Sequence, residues 1–216
     1  MSIGIDEHKP KGFVVTQLFK ERRGAVTLLL WVMFFMNLLD LYFLNSWLPT
    51  VMNDDGIPLR TAIVITTLFQ IGGAVGAILL GRLIDRLLSF RILAWTYLSA
   101  ALCIFLIGEA GVSIVLLVIT VFAAGLSVVG GQTSANALAA EFYPTAMRST
   151  GVGWALGIGR IGSIIGPTLG GILLSGATQA RQVFWLAALP VLIATAAAFS
   201  AASIHEKRGR VKAQAA

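Results

Sequence analysis

Residues 112–139 read VSIVLLVITVFAAGLSVVGGQTSANALA, an apolar stretch without a charged side chain. About 20 such residues in an α-helix cross the hydrocarbon core of a bilayer. The whole chain of 216 residues has this character, because 57% of it is hydrophobic and 12% is charged. A soluble domain carries about 25% charged residues. The composition therefore predicts an integral membrane protein made of α-helices.

Five further stretches are long and apolar enough to span a membrane, and turn or charge signals separate them. The six predicted spans are 25–48, 60–81, 90–108, 112–139, 150–174 and 182–203. This pattern predicts an all-α, six-transmembrane-helix bundle over residues 24–204. A polar N-terminal segment, 1–23, precedes the bundle, and a basic tail, 205–216, follows it.

The basic side chains are distributed unequally between the two ends of the predicted bundle. One end holds thirteen of the sixteen: Lys9, Lys11, Lys20, Arg22, Arg23, Arg82, Arg86, Arg91, Arg148, Lys207, Arg208, Arg210 and Lys212. The other end holds Arg60 and Arg181, and Arg160 lies inside a span. Because positively charged loops stay in the cytoplasm, both termini are predicted to be cytoplasmic in a cell inner membrane. The net charge of +6 is then an orientation signal and predicts no nucleic-acid partner.

The residues that usually carry metal or catalytic chemistry are scarce. Cys103 is the single cysteine, and His8 and His205 lie in the two terminal segments. Metal sites need several ligands at set spacings, and the sequence contains neither such a pattern nor a Ser–His pair or phosphate-binding loop. We therefore predict no metal, no cofactor and no enzymatic activity.

Two charged side chains occur near the middle of predicted spans. A charge at this depth costs about 2.5–3.5 kcal/mol on insertion scales, so such residues usually face a bundle interior or a water-filled cavity. Asp40 could load and release a proton, or could be a permanent ion pair or an acid kept neutral by Asn37. Arg160 could bind an anionic substrate, or could bond to helix carbonyls or to Asp40.

Further polar side chains at similar depth come from four spans and favour a polar central cavity. The predicted substrate and proton pathway comprises Asn37, Asp40, Tyr42, Asn45, Gln70, Gln132, Asn136 and Arg160. Tyr42, Trp47 and Phe69 are candidates for stacking on an aromatic ring. Trp and Tyr also mark membrane interfaces, which is the better interpretation for Trp47 and Trp185.

Glycines in the fifth span recur at intervals of four residues. Gly153 and Gly157 form one row, and Gly162, Gly166 and Gly170 form another. The spacing predicts that these small residues lie on one face of the helix, where a neighbouring backbone can approach closely. We expect either tight static packing or a helix that flexes or slides during function.

Two loop motifs carry a family resemblance. The first, Gly81-Arg-Leu-Ile-Asp85-Arg86 followed by Arg91, is similar to a cytoplasmic loop signature of the major facilitator superfamily. The second, residues 141–148, reads EFYPTAMR and resembles the Glu-x-x-Pro-x-x-x-Arg signature of the same transporters. The resemblance implies a C-terminal half of this fold with a cytoplasmic gate. The gate residues would be Gly81, Asp85, Arg86, Arg91, Glu141, Pro144 and Arg148, of which Asp85, Arg86, Glu141 and Arg148 could form an ion-pair network.

Residues 42–50, 69–73 and 143–162 narrow the resemblance to the aromatic acid:proton symporter family, which includes 4-hydroxybenzoate and benzoate permeases. It implies proton-coupled uptake of a small anionic aromatic substrate by alternating access. Sugar and drug carriers share the loop motifs and stay alternatives for the substrate.

A permease of this type has twelve helices, and six are predicted here. Residues 1–23 resemble the central loop that joins the two halves. We expect a separate N-terminal six-helix half or a second copy of the chain as partner in the bilayer. The alternatives are a non-functional truncated fragment and a membrane interaction or regulatory partner of a full-length permease.

Overall fold

The computed structural model describes residues 16, 18, 19, 23–87, 89–111, 113–175 and 179–214. Within this part the chain forms six long helices. They are α1 (Gly24–Asp54), α2 (Leu59–Leu87), α3 (Phe90–Glu109), α4 (Ile114–Phe142), α5 (Arg148–Ser175) and α6 (Ala180–Gln214), with a 3₁₀ turn at Thr145–Met147 before α5. All six are long and apolar enough to cross a membrane. The predicted all-α, six-helix membrane fold is confirmed.

Several helices extend past the apolar spans from which they were predicted. α1 continues through Pro49 to Asp54, and α6 continues to Gln214. The predicted tail, 205–216, is therefore helical over most of its length, because Glu, Lys and Ala there have high helix propensity. Residues 1–15, most of 16–23, and the side chains after Lys207 lie outside the described part.

The short connections end the helices in identifiable ways. Gly56 has a φ of 91° after α1, and Gly111 has a φ of 53° after α3, a region that side chains with a Cβ rarely enter. Ser89 precedes α3, and its hydroxyl accepts a 3.2 Å hydrogen bond from the Arg91 amide. Such a cap satisfies one of the free N–H groups at a helix start.

α1 and α5 pack with their backbones in close contact. Gly162 and Gly166 of α5 face the backbone carbonyls of Phe35 and Leu39 so closely that an added Cβ would collide with them. Gly170 continues this row beneath the Trp47 indole. The predicted glycine row of α5 is thus a helix-packing surface.

α2 and α4 form a second close pair by the same means. Gly72 and Gly76 of α2 face the carbonyls of Phe122 and Leu126, and Gly125 of α4 faces that of Phe69. α3 packs mainly on α6 and α4, and α1 contacts α2, α4, α5 and α6. α1 is therefore the central helix of the bundle.

α2 and α5 are the least covered helices. Their apolar windows are 28% and 22% buried, against 50–56% in the other four. Gly153 and Gly157 lie on the uncovered side of α5, with no other atom within 4 Å of an added Cβ. The prediction of one packing face for both glycine rows is wrong for this pair. At 100° per residue, the step from Gly157 to Gly162 turns the face by about 140°.

Polar contacts join α3 and α6 at both of their ends. The Arg181 guanidinium donates to the two Glu109 carboxylate oxygens at 2.9 and 2.7 Å. At the opposite end, Arg91 donates to Glu206 at 2.7 Å. The pairs lie at opposite ends of the bundle because α3 and α6 are antiparallel.

The segment before α1 contacts the loop between α4 and α5. The buried Tyr143 hydroxyl donates to Thr27 at 3.3 Å, and the Thr27 hydroxyl donates to the Leu18 carbonyl at 3.2 Å. Burial raises the pKa of Tyr143. Leu18 is fully buried and therefore belongs to the packed end of the bundle.

The two glycine rows should respond oppositely to an added methyl group. Gly162→Ala should lower the free energy of unfolding by about 1–3 kcal/mol, because the methyl group meets the α1 backbone. Gly157→Ala is the matched control and should raise it by about 0.5–1 kcal/mol through helix propensity alone. Denaturant unfolding in detergent micelles measures both. Equal effects of the two substitutions would contradict the α1–α5 contact.

Candidate functional site

The uncovered side of α5 carries a cation held by an aromatic hydroxyl. Arg160 is exposed although it lies near the middle of α5. Its Nη1 atom donates a 2.9 Å hydrogen bond to the hydroxyl of Tyr42 on α1. This bond uses one of the five guanidinium donors, so the planar fork keeps donors for a carboxylate.

A hollow of about 280 Å³ lies beside this pair on α5. It is lined by Gly153, Trp154, Gly157, Ile158 and Ile161. The Trp154 ring stacks on Trp31 of α1, with ring centroids 5.9 Å apart. A flat apolar surface next to a guanidinium suits a ring that carries an acid group.

The position of the hollow follows from the helical repeat. Gly153, Gly157 and Arg160 stand four and three residues apart, which places them within about 60° on one side of α5. The sequence-based interpretation treated the two glycines as packing residues and omitted Trp154. Their spacing to Arg160 is the signal that indicates a shared face.

Asp40 lies elsewhere. It is fully buried on α1, about 200° around the helix from Tyr42, and lines a crevice with side chains of α5 and α6. Neither carboxylate oxygen completes a hydrogen bond with a described residue. Asp40 and Arg160 therefore do not pair with each other in this structure, because Arg160 bonds to Tyr42 instead.

A chain of amides connects α1 to α4. Asn37 donates from Nδ2 to the Gln132 Oε1 atom at 2.7 Å and to the Val128 carbonyl at 3.3 Å. Gln132 in turn donates to Asn136 at 3.4 Å. Asn37 is fully buried, whereas Gln132 and Asn136 are half-buried. The structure thus brings three of the predicted pathway residues together, at a distinct contact from Arg160 and Tyr42.

Asn45 and Gln70 join neither the amide chain nor the Arg160–Tyr42 pair, although both were predicted to line the same pathway. Asn45 donates back to the Leu41 carbonyl of its own helix at 2.9 Å. Gln70 is exposed on α2 and makes no hydrogen bond to a described residue. Both side chains border the less covered part of the bundle, where another polar group could reach Gln70.

Two of the three stacking candidates have structural roles. Phe69 is fully buried, and its carbonyl contacts Gly125, so its ring cannot stack on a substrate. Trp47 donates to the Pro167 carbonyl at 2.8 Å and lies over Gly170, so it secures the α1–α5 contact. The interface-belt interpretation fits Trp185 better, whose exposed ring contacts Arg181 at 4.7 Å.

The predicted gate residues do not form a network among the described side chains. Arg86, Glu141 and Arg148 are exposed and make no ion pair in the described part of the chain. Exposed ion pairs contribute little, about 0–1 kcal/mol, so nothing compels these long side chains to pair. Arg91 pairs with Glu206 instead.

The remaining gate positions shape or border the same loops. Gly81 lies on α2, with no other atom within 4 Å of an added Cβ. Pro144 precedes the 3₁₀ turn, and its carbonyl accepts a hydrogen bond from Met147. The side chain of Asp85 lies outside the described part.

Comparison with known proteins gives consistent matches. The chain is 46% identical over 84% of its length to a gallate transporter of Pseudomonas putida and covers 40% of that protein. It is 41% identical over 85% of its length to a 4-hydroxybenzoate transporter of Pseudomonas aeruginosa and covers 41% of it. A benzoate transport protein of Acinetobacter baylyi is 36% identical over 74% of the chain, which covers 34% of that protein.

The chain thus spans about two fifths of the length of the first two relatives. The model of the family described as Major Facilitator Superfamily matches residues 30–215. This match runs through all six helices, both loop motifs, and the Arg160–Tyr42 and Asp40 positions. Together with six apolar helices, it defines a multi-pass membrane protein, and the chain belongs to the Major Facilitator Superfamily.

Proposed function

We propose that this chain forms part of a transporter that moves a small aromatic carboxylate across a cell inner membrane together with protons. The Arg160–Tyr42 pair carries the proposal, because it presents a cation at mid-membrane depth on an uncovered helix face. A charge at that depth is costly unless an anion or water meets it. A substrate carboxylate supplies that anion.

The hollow beside Arg160 supports an aromatic substrate. Its volume of about 280 Å³ is of the size that holds one ring, and Gly153 and Gly157 leave the helix surface flat. Trp154 and Ile161 border it with 44% and 49% of their surface exposed. Gallate, 4-hydroxybenzoate and benzoate, named for the relatives, each combine one ring with one carboxylate.

The partner we propose is an N-terminal six-helix half. The uncovered faces of α2 and α5 and the two-fifths coverage of the relatives support it. In such transporters the substrate site lies near the midplane between two halves. The partner would then close the hollow and supply the second wall of the site. A second copy of the chain is the alternative occupant.

We assign both termini to the cytoplasm. The excess of basic residues at the end that carries Arg86, Arg91 and Arg148 supports this orientation. The Arg91–Glu206 and Glu109–Arg181 contacts lie at opposite ends of the same helix pair. The gate residues would accordingly border the cytoplasmic mouth of the pathway.

Uptake into proteoliposomes tests the function. We expect no uptake of radiolabelled gallate or 4-hydroxybenzoate by the chain alone. Uptake should appear when it is co-reconstituted with the part of the Pseudomonas putida gallate transporter that this chain does not match. Uptake by the chain alone would favour a second copy as partner. Absence of uptake in both preparations would favour a fragment or a regulatory protein, and selective uptake of sugars would overturn the aromatic carboxylate.

Arg160 should determine carboxylate affinity in the uptake-competent assembly. Arg160→Gln should weaken gallate binding by about ten- to a hundredfold, because hydrogen bonds to charged groups contribute about 1.5–3 kcal/mol. The gallate affinity of Arg160→Lys should lie between those of the unsubstituted chain and Arg160→Gln, since lysine keeps the charge but loses the planar fork. Equilibrium binding of radiolabelled gallate measures this. Arg60→Gln is the control and should leave affinity unchanged. Equal affinities in all variants would remove Arg160 from the site.

The proposed orientation can be checked by cysteine labelling. In a Cys103→Ser background, a cysteine replacing Asp55 should react with a membrane-impermeant maleimide in intact cells. A cysteine replacing Glu141 should react only after permeabilisation. Both native residues are exposed, so access to the reagent depends on the side of the membrane. The reverse labelling pattern would place the termini outside the cytoplasm.

A further inference from the structure

A second cavity lies on the opposite side of α5 from Arg160. It encloses about 200 Å³ between α1, α5 and α6. Its lining is apolar except for one carboxyl group: Leu39, Asp40, Phe43, Leu169, Ile172, Leu173, Leu186, Ala187 and Pro190. α5 and α6 scarcely contact each other, and Ile172 and Leu186 are 62% and 42% exposed. We call this cavity the α5–α6 crevice, and it opens at the surface of the bundle between these two helices.

Asp40 lies at the inner end of the crevice without a stable partner. Its side chain is fully buried, and both carboxylate oxygens lack a hydrogen bond to any described residue. An ionised carboxylate without a partner is very unfavourable in apolar surroundings. The neutral acid is therefore the form that this site favours until a donor approaches.

Near Pro190, α6 has one free backbone acceptor and one backbone donor at the crevice. Pro190 has no N–H, so the Leu186 carbonyl one turn earlier loses its helical donor. Both residues line the crevice. The Val191 amide, which follows Pro190, approaches Asp40 without completing a hydrogen bond of normal geometry. A protonated Asp40 can donate to the Leu186 carbonyl, and an ionised Asp40 can accept from the Val191 amide.

Among the residues that the structure describes, no other titratable side chain lines the crevice. On α5, Arg160 points away, because Leu169 is nine residues later and about 180° around the helix. On α6, Arg181 is held by Glu109 near the helix start. On α1, Asn37 precedes Asp40 by one turn and is neutral. The protonation state of Asp40 therefore depends on α6 and on water rather than on a fixed counter-ion.

A row of amides begins one turn before Asp40 on α1 and extends to half-buried residues of α4. The Asn37 Oδ1 atom is buried without a hydrogen bond to a described residue, and it lies one turn from Asp40. From Asn37 the amide chain continues to Gln132 and Asn136, which are half-buried. These amides can hydrogen-bond water that carries a proton away from Asp40, and the carboxylate that remains takes the Val191 donor.

We propose that Asp40 is a proton-binding residue that exchanges the Leu186 carbonyl for the Val191 amide when it loses its proton, and thereby changes the bend of α6 at Pro190. This inference rests on the proposed function for its role in transport. Proton and substrate then bind on opposite flanks of α5, with Asp40 on one and Arg160 on the other. α1 and α5 both contribute residues to each site.

A lipophilic carbodiimide tests the proton site without any transport assay. Dicyclohexylcarbodiimide reacts with a protonated acid: the acid oxygen bonds to the central carbon, the acid proton moves to a reagent nitrogen, and rearrangement gives an N-acylurea. The adduct keeps every atom of the reagent, so peptide mass spectrometry identifies it. The chain is labelled in proteoliposomes between about pH 5 and about pH 9, a range that includes carboxyl groups shifted by burial.

We expect Asp40 to carry the adduct at low and neutral pH and to lose reactivity as the pH rises. A water-soluble carbodiimide should instead modify the exposed Glu141 and leave Asp40 unmodified. Absence of an Asp40 adduct at every pH would overturn the proposal. So would equal labelling across the pH range, which indicates a permanently neutral acid, or preferential labelling by the water-soluble reagent.

The role in transport is tested in the uptake-competent assembly with Asp40→Asn. We expect loss of accumulation driven by a proton gradient, while exchange of labelled for unlabelled substrate continues. Retained accumulation would overturn the coupling role of Asp40. If the unmodified assembly transports nothing, the proposed function fails, and the labelling result still decides whether Asp40 binds a proton. Asp40→Glu, which keeps the carboxyl group, should restore accumulation in part.

Discussion

The contact of α5 with α1 through glycine is the constraint on which the other features depend. Because Gly162 and Gly166 have no side chains, the two backbones approach until α5 meets the carbonyls of Phe35 and Leu39. This approach sets the rotation of α5. It directs Arg160 toward Tyr42 on one flank and leaves the crevice beside Asp40 on the other. Bulkier residues in this row would separate the two helices and disrupt both the Arg160–Tyr42 contact and the crevice beside Asp40.

The contact also explains how α5 could move. A surface of glycines offers few interlocking side chains, so one helix can shift along the other with little steric resistance. The Trp47–Pro167 hydrogen bond is a directional contact on this otherwise smooth surface. Pro167 weakens the helix there, since proline removes a backbone hydrogen bond. α5 is thus closely packed and also able to bend near its middle.

The sequence predicts where the helices lie along the chain, but it does not predict which helices pack against each other. Six apolar runs predict six spans because lipid requires backbone hydrogen bonds to be satisfied within each helix. Helix ends are less predictable, since α1 continues through Pro49 and α6 through its basic tail. Helical rotation alone separates Asp40 from Tyr42, but it does not say that Asp40 meets α6 rather than α4. That choice arises from packing across more than a hundred residues of chain.

The residues of the candidate site were likewise only partly predictable from the sequence. Arg160 was identifiable because a charge in lipid requires a reason. Trp154 was not, because an aromatic residue in an apolar helix is ordinary, and only its stack on Trp31 and its place beside the hollow distinguish it. The loop signatures indicated the family, but a signature does not specify which ion pairs form. Arg91 accordingly bonds to Glu206 and not to the other gate residues.

The ion pairs at the two ends of α3 and α6 have a mechanical consequence. Arg181 with Glu109 holds one end of α6 against α3, and Arg91 with Glu206 holds the other. A rigid tilt of α6 would strain these two exposed contacts, whereas a bow between them would not. The weakest point of α6 for such a bow is Pro190. Any displacement of α6 would then be greatest at its centre, beside α5, and smallest at the membrane surfaces.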